Sequence, residues 1–220
     1  MAPRRKTPKR VPVKWSDGFP PPGFRKLYRP LGLIVVTFAD LEQMLTVTLA
    51  ELLGRPYTEA MALEWLMQSL TNRIQLFYFL ATETTQELAR SKPEHSDSFV
   101  AMRESAKAIY EALLQANSDR NNLLHSPWTG IGTSAERSFS KERYAAEGGK
   151  LTEIPVRGIT VSFLEKEAKY LASIKLRLSD WRQRMVYRDN PQDWPAPLPG
   201  RYLLPSPLKS LLRVNKGKAP

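Results

Sequence analysis

Residues 31–53 read LGLIVVTFADLEQMLTVTLAELL, and their spacing decides the fold class. Ile34, Phe38, Leu41, Leu45, Leu49 and Leu52 recur at steps of three and four residues, with Thr48 beside Leu49. That period lays one continuous apolar stripe along a helix. Gly54 and Pro56 stop it. The longest apolar run, LGLIVVTFA at 31–39, is interrupted by Asp40 well short of a membrane span, so no membrane partner is expected.

Working outward, a second helical region begins near Thr58, a plausible N-cap, with Met61, Leu63, Leu66, Met67 and Leu70 apolar. It continues or restarts at Asn72 and runs through Ile74, Phe77, Leu80 and Leu88 to about Arg90. Pro93 separates it from a third helix over roughly 97–115, with Phe99, Met102, Ala106, Ile109, Leu113 and Leu114 inward. Asn117, Ser118 and Asp119 are all good N-caps, so a short helix is expected to restart there. Residues 129–159 lose the helical period, and 137–146 and 151–156 either pair as a hairpin about Gly148 and Gly149 or form a loop. Ser162-Phe-Leu-Glu165 has the pattern of a capping box, and Phe163, Leu164, Tyr170, Leu171, Ile174, Leu178, Trp181 and Met185 carry the last helix. The pattern predicts an all-α fold: an antiparallel bundle of four to five helices with a short irregular or β-hairpin insertion before the last.

With 220 residues, 42% of them hydrophobic, the chain makes one domain with appendages. The absence of cysteine excludes disulfide frameworks, thiolate metal sites and cysteine nucleophiles. MAPRRKTPKR at the N-terminus runs into prolines rather than an apolar segment, so a cytoplasmic protein is expected. The net charge of +11 divides unevenly: residues 1–30 hold nine basic and one acidic residue, 190–220 five and one, and 31–189 nineteen and twenty. Prolines follow, with seven in each end segment and four between. The expected organisation is a basic proline-rich arm (1–30), a helical domain (31–189) and a basic proline-rich tail (190–220). The arms are either solvated and solubilising or a source of sequence-independent phosphate attraction. For RNA the N-terminal arm is the better candidate, since Arg4, Arg5, Lys6, Lys9, Arg10 and Lys14 cluster there. Aromatic residues in both segments, Trp15 and Trp194 among them, allow parts to pack on the body.

Little in the body carries chemistry. GIG at 130–132 follows Trp128 without a preceding strand and is a poor dinucleotide motif. With two histidines, no histidine-rich metal site is possible, and no metal or other cofactor is expected. One stretch survives, RNNLLH at 120–125. On a helix Asn121 and His125 lie about 40° apart and share a face, while Arg120 is roughly 140° from His125 but has a long stem. The set offers an imidazole that titrates near neutrality, a fixed cation and an orienting amide. It suits phosphodiester chemistry, in which a base takes the ribose 2′-hydroxyl proton and a cation stabilises phosphate charge. A hydrogen-bonded structural histidine beside Ser-Pro-Trp fits the same spacing.

The R-N-x-x-x-H arrangement, placed after the third long helix of an all-α domain, resembles the HEPN family (higher eukaryote and prokaryote nucleotide-binding). FADLEQML at 38–45 and ALLQANSDRNNLLHSPW at 112–128 resemble the usual contexts, and the likeness covers about 31–186 without the tails. The resemblance implies a metal-independent endoribonuclease working as a homodimer on RNA, with motifs of two protomers facing one cleft. It implies His125 as general base or acid, Arg120 as the phosphate-stabilising cation and Asn121 as the residue that orients them. Toxin–antitoxin pairs, with a cognate antitoxin as partner, and antiviral systems are the implied settings. Pro127 stands where one branch of toxins carries a tyrosine, which argues against modification-based control of that kind. Glu42, beside the first helix's stripe, is a possible acid orienting Arg120; a solvated face is the plainer role.

Overall fold

A computed structural model describes residues 25–56, 58–59, 61–62, 67, 69–124, 128–131, 139–147, 150–191, 194 and 204–208. The fold is predominantly helical. Four long helices are described: α1 (Arg25–Leu52), α2 (Leu70–Ser91), α3 (Ser96–Leu124) and α4 (Val161–Val186). Between α3 and α4 the backbone forms three strands, β1 (Trp128–Ile131), β2 (Phe139–Glu147) and β3 (Lys150–Ile159). They pair antiparallel in the order β1-β2-β3, and the β2–β3 ladder runs outward from Glu147 opposite Lys150.

Helix α1 starts six residues before Leu31 and carries Pro30 inside it, so residues 25–30 belong to the body rather than the arm. A proline there removes one backbone hydrogen bond. Leu27, at 1% exposure, and the buried Pro30 extend the core stripe by two turns and offset that loss. The span from Lys26 to Leu52 is, by length and composition, apolar enough to cross a membrane, despite Asp40. Within the fold 44% of its apolar 18-residue window is buried, Ile34, Phe38, Leu41, Leu45 and Leu49 being the buried large residues of the helix.

Paired contacts set the helix directions. Asn117 Nδ2 donates to Thr71 Oγ1 at 3.2 Å, and Tyr110 stacks on Tyr78 with centroids 4.5 Å apart, so α2 and α3 run antiparallel. Trp181 Nε1 donates to the Met102 carbonyl at 3.0 Å and Tyr170 Oη to that of Ala112 at 3.0 Å, so α3 and α4 are antiparallel too. Lys175 meets Asp40 and Arg182 meets Glu51, which makes α1 and α4 parallel. The expectation of antiparallel neighbours throughout therefore fails at α1. Residues 53–69 return the chain to the starting end before α2, a connection longer than a tight helix–helix turn.

The last helix is capped two residues earlier than expected. Thr160, not Ser162, is its N-cap, and Thr160 Oγ1 accepts from the Phe163 amide at 3.1 Å. In the core, Trp181 is 1% exposed and meets Phe77 edge to face at 5.4 Å and 79°. Replacing Trp181 by alanine removes that ring contact and leaves the Met102 carbonyl without its indole donor. Chemical unfolding of Trp181→Ala is expected to show a loss of about 3–5 kcal/mol, against a smaller loss for Trp181→Phe.

Candidate functional site at the end of α3

Helix α3 runs unbroken through Asn117, Ser118 and Asp119, where a break and restart were expected. Cap-type residues disrupt helices when their side chains compete for nearby backbone groups. Here they are engaged elsewhere. Asn117 reaches Thr71 on α2, Gln115 Nε2 donates to Asp119 Oδ1 at 2.7 Å, and Asn122 Nδ2 approaches Ser118 Oγ at 3.4 Å. The RNNLLH motif therefore occupies the last turns of α3 rather than a separate short helix.

Leu123, at 1% exposure, anchors those turns to the core. Arg120 is half-buried and reaches α1, where its Cζ stands 5.0 Å from the centroid of the Phe38 ring. That is within cation–π range and fixes the guanidinium against a side chain that is itself buried. Asn121 is exposed next to it. His125 follows Leu124 directly and lies outside the described residues, as do Arg4, Arg5, Lys6, Lys9, Arg10 and Lys14. Glu42 is half-buried one helical turn beyond Phe38 on α1, and no described ion pair joins it to Arg120. Asp40 is committed elsewhere, to Lys175 at 2.8 Å.

Beneath the motif lies a group of buried acids. Asp119 is 1% exposed, and its Oδ2 accepts from Ser206 Oγ at 2.7 Å in a segment 87 residues further on. Glu167 of α4 is fully buried, and neither carboxyl oxygen has a well-formed hydrogen bond among the described residues. Burial, and then the like charge of Asp119, push its pKa up to about 8, although the Leu208 amide lies close enough to favour the charged form. The same causes push the Tyr170 hydroxyl upward: burial first, then Asp119, then Glu167. Its proton is engaged with the Ala112 carbonyl.

A signal for both acids was present in the sequence. Asp119 falls among Ile109, Leu113, Ala116 and Leu123, and Glu167 among Leu164, Leu171 and Ile174. An acidic residue at helical spacing inside an apolar stripe is buried if the helix packs as its neighbours require. Among the described residues no cluster of histidine, cysteine, aspartate or glutamate could hold a metal ion.

The raised pKa of Glu167 carries a sign. The folded state holds this proton more tightly than the unfolded chain does, so the stabilisation is complete below about pH 4.5 and drains away as pH rises to about 8. In thermal unfolding across this range the wild-type Tm should fall. Glu167→Gln should remove most of that slope and stand higher at pH 8, by on the order of 5–10 °C. An equal slope in the variant would show that Glu167 ionises freely in the fold.

Compared with known proteins, the chain matches no protein-family model, no curated protein and no solved structure.

Proposed function

We propose that the chain is a metal-independent endoribonuclease of the HEPN type, acting in a toxin–antitoxin pair or in antiviral defence. The observation that supports this best is the pose of Arg120. Its guanidinium is held against Phe38 at the end of α3, with Asn121 exposed beside it and His125 next in the chain after Leu124. A planar cation fixed on an aromatic ring is oriented in advance for a phosphate, which is the electrostatic part of phosphodiester cleavage.

In this reading His125 takes the 2′-hydroxyl proton and the 2′-oxygen bonds to phosphorus. The bond from phosphorus to the 5′-oxygen breaks, and the leaving oxygen is protonated by the conjugate acid. Arg120 stabilises the added charge, and Asn121 orients the pair. A second copy of the chain completes the cleft. The outward face of α1 supports that assembly, since Tyr28, Leu33, Val35 and Val36 are 46–59% exposed there. The same apolar face favours the second reading, a silent helical module that binds RNA or a protein partner.

The two readings separate in one assay. Purified protein is expected to cut RNA in the presence of EDTA and to leave 2′,3′-cyclic phosphate ends, and Arg120→Ala and His125→Ala should each lower the rate at least about 100-fold. Binding without cleavage selects the silent module. Cleavage that persists in His125→Ala removes the proposed base.

The arm is tested separately. Deleting residues 1–14 removes Arg4, Arg5, Lys6, Lys9, Arg10 and Lys14. RNA binding should weaken and its salt dependence flatten, by a slope of about 0.7 per lost phosphate contact. An unchanged slope in a salt titration assigns the arm to solubility alone.

A further inference from the structure

The chain beyond α4 touches α3 near both of its ends. Close to the start of α3, the Trp194 ring meets Phe99 edge to face with centroids 5.6 Å apart. Arg184 Cζ stands 5.6 Å from the Trp194 ring centroid on another side. Trp194 there walls a cleft of about 600 Å³ between α3 and α4. Close to the end of α3, Ser206 donates to Asp119, the Leu204 amide donates to Ser173 Oγ at 3.3 Å, and Leu208 is 1% exposed over Glu167. Phe99 and Asp119 are twenty residues apart, about 30 Å along a helix.

We propose that residues 204–208 are a strap that holds the Arg120 end of α3, with Ser206 as a positioning residue for Arg120 acting through Asp119. The tie is made one residue before Arg120, at a carboxylate sealed from water. Helix ends fray because their last carbonyls lack partners. A 2.7 Å hydroxyl–carboxylate bond inside the core restrains that turn, because breaking it leaves a buried acceptor short of a donor. The second tie, from Leu204 to Ser173, and the burial of Leu208 keep the hydroxyl in place. Neither Trp194 nor the segment 204–208 behaves as a solvated tail, although both lie inside the proline-rich stretch that composition alone assigns to one.

The mechanical claim stands on these contacts, while its catalytic consequence rests on the nuclease reading above. Both are measured on the full-length chain. Hydrogen exchange by mass spectrometry is compared for wild type, Ser206→Ala and Ser206→Thr, alongside RNA cleavage kinetics. In Ser206→Ala the amides of residues 116–124 should exchange about 10-fold faster or more, with those of α1 and α2 unchanged. Here kcat should fall by a similar factor with KM kept within about twofold. Ser206→Thr, which keeps the hydroxyl, should restore both. Unchanged exchange at 116–124 overturns the strap, whatever the cleavage assay returns. Faster exchange with an unchanged kcat overturns the positioning role. A wild-type chain that never cuts RNA overturns the nuclease reading instead, and the exchange data still decide on the strap. Should Ser206→Ala fail to fold, Leu208→Ala loosens the segment without touching Asp119. It should give the same regional signature, and acceleration spread evenly over all four helices would overturn the strap.

Discussion

Helix α3 is the element that locates the others. Among the described helices it alone runs against the other three, and the contacts that register α2 and α4 end on it, at Thr71 and Tyr78 and at Trp181 and Tyr170, while α1 reaches it through Phe38 and is registered on α4 by Asp40–Lys175 and Glu51–Arg182. An antiparallel partner lets the helix dipoles oppose one another and lets short connections join neighbours. Because α2 and α4 share a direction, both depend on α3 for these. A change that bent α3 at Asn117–Asp119 would shift its interfaces with α2 and α4 together, which is why the side-chain pairing of those residues matters more than their propensities.

The same helix brings the polar parts of the structure together. Its outer side carries Arg120 to Phe38, and its inner side carries Asp119 to Glu167 and Ser206. Burying two acids within Coulombic reach is costly, and the cost shows in the upward pKa of Glu167. A core designed for stability alone would place two apolar residues there. Retaining them is consistent with a need to hold this end of the helix in one register.

How far the sequence can be read depends on whether a feature is local. The stripes of Ile34–Phe38–Leu41–Leu45 and Leu164–Leu171–Ile174–Leu178 repeat at helical period and needed nothing else. The start of α1 was hidden because Pro30 is a local stop signal that burial of Leu27 overrides. Asn117, Ser118 and Asp119 are local cap signals overridden by Thr71 and Gln115. Ser162 carries the capping-box pattern because a glutamate follows three residues on, whereas the cap used is Thr160, whose side chain accepts from the Phe163 amide. The parallel run of α1 and α4 has no local signature, since it follows from where residues 53–69 go. At the candidate site Arg120 and Asn121 were found by motif, but the ring that fixes Arg120 reads in the sequence only as core. Ser206 sits 87 residues from Asp119 in a proline-rich stretch, and nothing nearby marks it.

That separation also sets an order of assembly. At about 5–20 residues per second of synthesis, Ser206 is made some 4–17 s after Asp119. The growing chain can form the Gln115–Asp119 bond as soon as α3 coils, and the α2–α3 hairpin needs only neighbouring sequence. Glu167 and the rest of α4 are made before its cover, Leu208, exists. The newborn protein therefore passes through a stage in which its helices are all present while the acidic seam between α3 and α4 is still open to water. The Arg120 end of the molecule is closed by residues made after all four described helices.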